Sequence, residues 1–324
     1  MSCESIVSSS CLSEDQNPDC TISITNMRWS KKRDLRLVDS MLGEISALLS
    51  ALLSAGSTVV SAKALNNVEP LKANLIRVLF AAVSIFPLAL ATGELQSMFT
   101  VDPNGIAIVI ISAIVGYGIA DTLLFKAMTQ IGVSRAYTIS YTYPFFTMTL
   151  AVVFLSEPFL LRYLIGTVAI VLAIVSISSG VRDRVETIRF QGIVMALGTA
   201  ILYALGTIAV SIGLRYVGII LANTIRFPIV FLFMLSISSM WKSQAKVTRR
   251  DFFLLALSGV IGMTLSSITF LYGIQQIGAE RTSSLNASSP IWAALIAVLF
   301  LKEKVTWKIA ASCIMVFAGI YFLT

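Results

Sequence analysis

Residues 130–157, QIGVSRAYTISYTYPFFTMTLAVVFLSE, return 146 positions later as residues 276–303, QIGAERTSSLNASSPIWAALIAVLFLKE. The opening Gln-Ile-Gly, an arginine, a proline, the pairs Ala-Val and Phe-Leu, and a glutamate keep their places in both copies. The same register aligns Ser112 with Ser258. A duplication of this length predicts that the chain is built from two copies of one structural unit.

A second match supports the duplication at a slightly different offset. Residues 73–77, ANLIR, align with residues 222–226, ANTIR, when the chain is shifted by 149 positions. A loop between the two matching segments accounts for the three-residue difference. We therefore divide the chain into a polar tail over residues 1–40, a first repeat over 41–180 and a second over 181–324.

The composition places both repeats in a membrane. Apolar residues make up 56% of the 324 residues and charged residues 13%, and the mean hydropathy is +0.86. A soluble domain averages about 25% charged residues, so this much apolar surface requires a lipid solvent.

The apolar residues form runs of roughly 20, the length at which a helix crosses a bilayer. Strands of a membrane barrel would be about 10 residues long and would alternate apolar with polar, which these runs do not. We predict an all-α membrane protein with ten transmembrane helices. They lie near residues 42–64, 73–92, 104–128, 133–155, 159–179, 190–213, 217–240, 251–275, 281–301 and 305–323.

Five helices in each repeat is an odd number, so the two repeats must enter the membrane from opposite sides. Secondary transporters are built from such inverted repeats, with the substrate site near the midplane. Two similar halves can then exchange shapes and open the site to each side in turn. The chain has no Gly-rich phosphate loop, so we expect no ATP binding and no other cofactor.

The first 40 residues lack an apolar run and are rich in Ser, Asp, Glu and Asn, which predicts a flexible tail rather than a signal peptide. Cys3, Cys11 and Cys20 lie in this tail, and Cys313 lies in the last predicted helix. Their spacing matches no zinc motif and the chain contains no histidine, so free thiols are expected and no metal site.

The net charge of +7 comes from basic residues in the tail and in the loops that flank the predicted helices. Anionic lipid headgroups are the partners that this pattern favours, and nucleic acid is not expected. The oligomeric state is open at this stage.

The repeat and its motifs resemble the drug/metabolite transporter superfamily, and within it the ten-helix EamA-type carriers. The resemblance spans all ten predicted helices and rests on three features: the five-plus-five repeat, the Ala-Asn-x-Ile-Arg segment, and a proline followed by Leu-x-Glu. Similar proteins move amino acids and other small metabolites, some by proton exchange. The resemblance implies a small-molecule substrate of this kind and a multi-pass protein of the cell membrane.

The loop charges and the resemblance disagree about orientation. With the N-terminus inside, more basic residues lie outside than inside, against the usual rule. The basic cluster before the first helix resists translocation, however, and similar carriers keep both termini in the cytoplasm. We therefore expect cytoplasmic termini.

Asp121 is the sharpest single candidate for transport chemistry. It lies about two thirds along the third predicted helix, where a carboxylate in lipid faces a cavity or a partner. Arg77, near the start of the antiparallel second helix, is expected at a similar depth. A structural ion pair and a role in proton coupling or substrate binding are both open.

Arg226 matches Arg77 in the second repeat, but the position that matches Asp121 is Ser267. Arg226 therefore lacks the repeat-related carboxylate. It has two interpretations: it binds an anionic group of the substrate, or it reaches toward headgroups and caps helix carbonyls.

Pro144 and Pro290 lie within the fourth and ninth predicted helices. Each removes a backbone hydrogen bond and frees the carbonyl four residues earlier, at Ser140 and Asn286. These matched kinks are candidate hinges or substrate contacts, and packing kinks are the alternative.

The two kinked helices carry different side chains. Tyr137 and Tyr141 share a face of one, and Ser283 and Asn286 share a face of the other. A cavity with one aromatic wall and one small, polar wall suits an amphipathic solute such as an amino acid. Tyrosines also join membrane helices to one another, which is the alternative. Further candidates for substrate binding are Tyr117, Tyr203 and Tyr272.

Glu157 and Glu303 end these helices, close to a basic residue, and are predicted to be structural or gating residues. An enzyme is not expected, because the chain has no histidine and no cluster of intramembrane carboxylates. A channel would need a more polar lining. A translocator of lipid or lipid-linked solutes is the closest alternative.

Overall fold

The computed structural model describes residues 18–65, 68–178, 189–239, 247–301 and 307–324. These ranges are helical, and none of them contains a strand. The α-helices, in chain order, are α1 Pro18–Leu65, α2 Pro70–Ala91, α3 Glu94–Ser97, α4 Pro103–Ala113, α5 Ala120–Ile131, α6 Val133–Ser140, α7 Tyr143–Leu150, α8 Leu161–Ser178, α9 Phe190–Gly213, α10 Ile219–Ser239, α11 Arg249–Gly259, α12 Ser266–Asn286, α13 Ser289–Leu301 and α14 Trp307–Leu323.

The N-terminal part of the chain differs from the sequence prediction. A flexible tail was expected up to residue 40, but α1 begins at Pro18. Proline suits the first position of a helix, and no glycine or other proline interrupts residues 19–42. Residues 1–17, with Cys3 and Cys11, lie outside the described ranges. The chain divides into the units Met1–Leu42 and Gly43–Thr324, and the site described below belongs entirely to the second.

Seven helices in the described ranges are long and apolar enough to cross a membrane, by length and composition. They are Val38–Ser61, Leu71–Ala91, Pro103–Ile131, Arg135–Leu155, Phe190–Gly213, Ile219–Ile237 and Arg249–Asn286. Two shorter apolar helices, Leu161–Ser176 and Ala310–Leu323, lie where the fifth and tenth crossings were predicted. The predicted eighth crossing and the start of the ninth run together in the 38 residues Arg249–Asn286.

The duplication of the sequence is also a duplication of local structure. Helices α4 and α11 begin 146 residues apart, each after a capping side chain: Asp102 accepts from the backbone N–H of Asn104, and Thr248 from that of Asp251. Both helices then widen into a π-helical turn, at Ile114–Ile119 and at Val260–Leu265. These turns start at positions that are again 146 residues apart.

The chain also breaks its helices at matching glycines. Gly132 has φ 89° and ψ 158°, and Gly278 has φ 85° and ψ 168°. Only glycine adopts this backbone region readily, because a Cβ would clash there. Each glycine therefore separates two helical segments, α5 from α6 and Ser266–Ile277 from Ala279–Asn286.

The two prolines act differently from the prediction. Kinks in the middle of continuous helices were expected at Pro144 and Pro290, but both lie in the first turn of a new helix, α7 and α13. There the missing N–H would be unpaired in any case, so the proline starts a helix instead of bending one. The carbonyl of Asn286 accepts a hydrogen bond from the Ser289 hydroxyl at 2.6 Å.

Close packing of α9 against the first repeat depends on two glycines. Gly116, in the first π-turn, faces Gly206 of α9, and a Cβ built on Gly116 would lie only 3.1 Å from the Gly206 Cα. Contacts between small residues let membrane helices approach backbone to backbone. This contact joins the first repeat to the second beside the cavity described below.

We expect Gly278→Ala to destabilise the protein by about 1–3 kcal/mol, because alanine strains this backbone conformation. The added Cβ would also lie 2.8 Å from the Glu157 Oε1. The measurement is the melting temperature of the purified protein in detergent. Gly56→Ala is the matched control, since Gly56 is helical and nothing lies within 4 Å of a Cβ there. Equal melting temperatures for both variants would contradict the prediction.

Candidate functional site

A polar cavity lies among the helices of the unit Gly43–Thr324. Its volume is about 230 Å³. Helices of both repeats line it, and so do the two π-turns, through Gly116 and Tyr117 in the first and Gly262 and Met263 in the second. Widened turns of this kind occur often at functional sites, because they redirect the side chains that follow.

Asp121 is the second residue after the first π-turn and is buried. Its Oδ1 accepts a hydrogen bond from the Tyr203 hydroxyl at 2.6 Å, and its Oδ2 accepts one from the Asn74 side-chain amide at 3.0 Å. Asn74 and Asp121 belong to the first repeat and Tyr203 to the second. Both partners are donors, as an ionised carboxylate requires.

The second repeat contains the counterpart of this contact. Asn223, which matches Asn74, is fully buried, and its Oδ1 accepts a hydrogen bond from the Ser267 hydroxyl at 2.8 Å. Ser267 matches Asp121 in the 146-residue register. Ser267 pairs with the oxygen of the Asn223 amide and not with its nitrogen. The Asn223 Nδ2 has no hydrogen-bond acceptor among the described residues.

Arg77 also lines the cavity, one turn after Asn74 in α2. Its Nη2 donates to the Ser57 hydroxyl at 3.3 Å, and its Nε has no acceptor in the described part of the chain. Arg77 and Asp121 thus line the same cavity, but each has other partners. Within the described residues they form no direct ion pair.

Arg226, the counterpart of Arg77, is 4% exposed and lines the cavity from α10. Its guanidinium carbon lies 4.8 Å from the centre of the Tyr117 ring, a cation–π distance. One nitrogen, Nη1, has a long contact of 3.5 Å to the Asn223 Oδ1, and Nε has no acceptor among the described residues.

An aromatic wall closes one side of the cavity. The rings of Tyr137, Tyr141, Tyr143 and Tyr203 follow one another with centroid separations of 6.0, 6.3 and 6.1 Å. Tilted and edge-to-face contacts at these distances stabilise aromatic pairs. The Tyr143 hydroxyl donates to the Ser283 carbonyl at 3.1 Å and accepts from the Asn286 amide at 3.3 Å.

Small hydroxyl side chains line another part of the cavity, its hydroxyl side. Ser50 of α1 donates to the Asn286 Oδ1 at 3.1 Å, and its hydroxyl lies 3.0 Å from that of Ser266. The hydroxyls of Ser54 and Ser266 are 2.7 Å apart. These contacts join the first helix of one repeat to a helix of the other.

The structure brings most of the predicted site residues together. Those that line the cavity are Arg77, Tyr117, Asp121, Tyr137, Tyr141, Tyr203, Arg226 and Asn286. Three other candidates for substrate binding, Ser140, Ser283 and Tyr272, do not line the cavity. Ser140 and Ser283 are fully buried, and the Ser140 hydroxyl donates to the carbonyls of Ala136 and Ala196.

Sequence reasoning missed several polar residues of the lining. They are Ser50, Ser54, Thr58, Asn74, Tyr143, Thr207, Ser266 and Ser267. A signal for three of them was present, because Ser50, Ser54 and Thr58 recur every four residues on one face of α1. Asn74 was visible as part of the repeated segment but was not considered as a partner for Asp121.

Glu157 has a structural role outside the cavity. Its two carboxylate oxygens accept from the backbone N–H groups of Ala279 at 2.8 Å and Glu280 at 3.1 Å, directly after the break at Gly278. The Glu157 carboxylate therefore caps the segment that carries Asn286 into the cavity. The predicted counterpart, Glu303, lies outside the described residues.

The same segment is held by Arg281. Its guanidinium forms an ion pair with Glu44 of α1, and its Nε donates to the Leu323 carbonyl at 2.7 Å. Arg281 also lies over the ring of Tyr163, 5.4 Å from its centre. Among the described residues, no group of three or more His, Cys, Asp or Glu side chains is placed to hold a metal ion.

Comparisons with known proteins agree with this architecture. The model of the EamA-like transporter family matches the chain twice, over residues 41–179 and 190–324. An uncharacterised transporter of Archaeoglobus fulgidus is 25% identical over 283 residues, which covers 87% of this chain and 98% of that protein. A solved structure titled only as the crystal structure of a protein superposes with a TM-score of 0.75 at 14% identity, over 89% of this chain and 96% of that one.

We expect Glu157→Gln to lower the yield of folded protein more than it changes substrate preference. The glutamine amide would turn an N–H₂ group toward one backbone N–H and leave it without an acceptor, at about 1–3 kcal/mol. Expression yield and melting temperature in detergent measure the effect.

Glu69→Gln is the control for this prediction. Glu69 precedes α2, but its side chain makes no capping hydrogen bond. An unchanged yield of Glu157→Gln together with altered selectivity would show that Glu157 acts on the substrate instead.

Proposed function

The chain belongs to the EamA-like transporter family and is a multi-pass membrane transporter, and from this we propose that it carries small amphipathic metabolites, such as amino acids, by alternating access. The observation that supports the proposal most is the cavity itself. Helices of both repeats line it, and its two arginines, Arg77 and Arg226, come from matching positions. Intramembrane charges of this kind mark substrate or ion sites.

The proposal includes ten crossings, arranged as two inverted repeats of five. Two contacts between distant parts of the chain support it. Glu94, after two crossings, accepts from the backbone N–H of Leu221, after six, and Glu157, after four, accepts from that of Ala279, after eight. Four crossings separate the two members of each pair. Because four is even, both members of a pair lie at the same membrane face.

Alternating access would use the contacts between the repeats. In each repeat, a glycine in a strained conformation and a second break two turns later divide one crossing into short segments. Such divided helices line the sites of many secondary transporters. We propose that Gly132 and Gly278, together with the breaks before Pro144 and Pro290, are the hinges.

The size and lining of the cavity favour a small solute. Its volume of about 230 Å³ is below the ~300–1,000 Å³ that is typical of pockets for drug-sized ligands. The tyrosine wall would take the apolar part of a solute and the hydroxyl side its polar part. A lipid or lipid-linked solute and a channel are the alternatives, and saturable counterflow of a water-soluble solute separates a carrier from both.

Asp121 is our candidate for proton coupling, since it is the acidic side chain among the described residues that line the cavity. We expect a pH gradient to drive solute uptake into proteoliposomes of the wild-type protein. Asp121→Asn keeps the shape of the side chain and one acceptor oxygen for its two donor partners, Asn74 and Tyr203, but it cannot release a proton. Gradient-driven uptake should therefore fall to the level without a gradient, as measured by radiolabelled uptake.

Asp102→Asn is the control, because Asp102 is exposed and asparagine also caps helices well. This variant should keep the gradient dependence. Saturable uptake that ignores the gradient, equal in the wild type and in Asp121→Asn, would contradict proton coupling and indicate facilitated diffusion or exchange.

The inverted arrangement has its own test. Asn104 and Arg250 are exposed, lie 146 residues apart, and hold the same position in α4 and α11. Five crossings separate them, so they should lie on opposite membrane faces. In a background without the native cysteines, an impermeant maleimide applied to sealed vesicles should label only one of Asn104→Cys and Arg250→Cys, and the other only after permeabilisation.

Labelling of both positions from the same side would contradict the inverted repeat. The same vesicles locate the termini, which we propose to be cytoplasmic in a cell-membrane protein. Protection of the N-terminal tail from external protease is the result expected.

A further inference from the structure

We infer that the solute presents a carboxylate group, and that Arg226 binds it. This inference rests on the proposed carrier function and names the chemical class of its substrate. It follows from three observations about the second repeat: the donors that lack acceptors, the burial of a guanidinium without a carboxylate beside it, and the charge of the cavity.

The unpaired side-chain atoms around the cavity are hydrogen-bond donors. The Nε atoms of Arg77 and Arg226, two residues that line the cavity, are buried, and neither has an acceptor in the described ranges. Both carboxylate oxygens of Asp121 already accept a hydrogen bond, one from Tyr203 and one from Asn74. A bound solute that completes these donors must therefore supply acceptor atoms.

Arg226 is the more strongly buried of the two guanidinium groups. A guanidinium keeps its charge at any physiological pH, and burying it without an anion is costly. The Tyr117 side chain offsets part of this cost through its ring face and a hydrogen bond to the guanidinium, but it carries no negative charge to balance that of Arg226. The first repeat places Asp121 next to Asn74, whereas the second has Ser267 next to Asn223.

The charge of the cavity favours a solute that brings a single carboxylate. Its charged lining residues are Arg77, Arg226 and Asp121, so with Asp121 ionised the described lining carries one net positive charge. A monocarboxylate neutralises that charge, and its two oxygens match the paired N–H groups of a guanidinium. A dianionic phosphate would leave an excess negative charge, and an amine would add to the positive one.

The remainder of the solute would lie against the aromatic wall. Tyr117 contacts the Arg226 guanidinium, and the rings of Tyr141 and Tyr143 line the same cavity. A carboxylate on an apolar or aromatic body therefore fits the lining better than a compact, fully polar ion.

The test uses three probes with the same carbon skeleton: 3-phenylpropanoate, 3-phenylpropanamide and 3-phenylpropylamine. Binding to the detergent-solubilised wild-type protein is measured by calorimetry and by the shift of melting temperature, with chloride held constant. The carboxylate should bind, and the amide and the amine should bind at least about 10-fold more weakly, the effect of losing a charge-assisted hydrogen bond.

Variants then locate the binding group. Arg226→Gln should weaken binding of 3-phenylpropanoate by roughly 10- to 100-fold, and Arg226→Lys, which keeps the charge but not the fork, by less. Arg215→Gln is the control, because Arg215 is exposed and does not line the cavity. It should bind the carboxylate as the wild type does.

The outcomes separate the inference from the proposed function. Saturable uptake of the amine or the amide into proteoliposomes, without binding of the carboxylate, would overturn the inference and leave the carrier in place. Non-saturable flux of all three probes alike would overturn the carrier function itself. Should Arg226→Gln fail to fold, the preference of the wild type among the three probes still decides, and equal or absent binding of the carboxylate contradicts the inference.

Discussion

The satisfaction of backbone polar groups inside a membrane is the constraint on which this structure depends. A continuous helix meets it without help, but this protein interrupts its helices at matching places in both repeats. Every interruption exposes N–H and C=O groups that need partners from elsewhere in the chain. Glu157 supplies them to the backbone of Ala279 and Glu280 after Gly278, and this capture holds the segment that brings Asn286 to the cavity. The site therefore exists because a carboxylate of one repeat completes a helix of the other.

The two repeats share their local helix breaks and π-turns, and one difference between them lies in a pair of side chains at the site. The Asn-x-x-Arg segment occurs in both, and in both its asparagine contacts the residue that follows the π-turn of the next crossing. That residue is Asp121 in the first repeat and Ser267 in the second. The exchange of a carboxylate for a hydroxyl thus leaves the cavity with a negatively charged group at Asp121 and a neutral one at Ser267.

The architecture could be predicted from the sequence further than the site could. Apolar runs and the 146-residue register indicate helices and a duplication, because both follow from local composition and spacing. Asp121, Arg77 and Arg226 could be selected because a charged residue is rare within such runs. Their partners could not, since Tyr203 and Asn74 meet Asp121 only through the packing of α9 and α2 around it. The prolines were misjudged for a related reason: a proline in an apolar run looks the same in sequence whether it bends a helix or begins one.

The contact between Gly116 and Gly206 has a consequence for the evolution of such a carrier. Both glycines border the cavity, and neither has a side chain that a solute can recognise. The close approach of their backbones nevertheless sets the separation between the first π-turn, which carries Tyr117, and α9, which carries Tyr203. A single methyl group added there would act as a spacer. In the carrier proposed here, two residues without side chains would thus set the spacing of the helices around the solute.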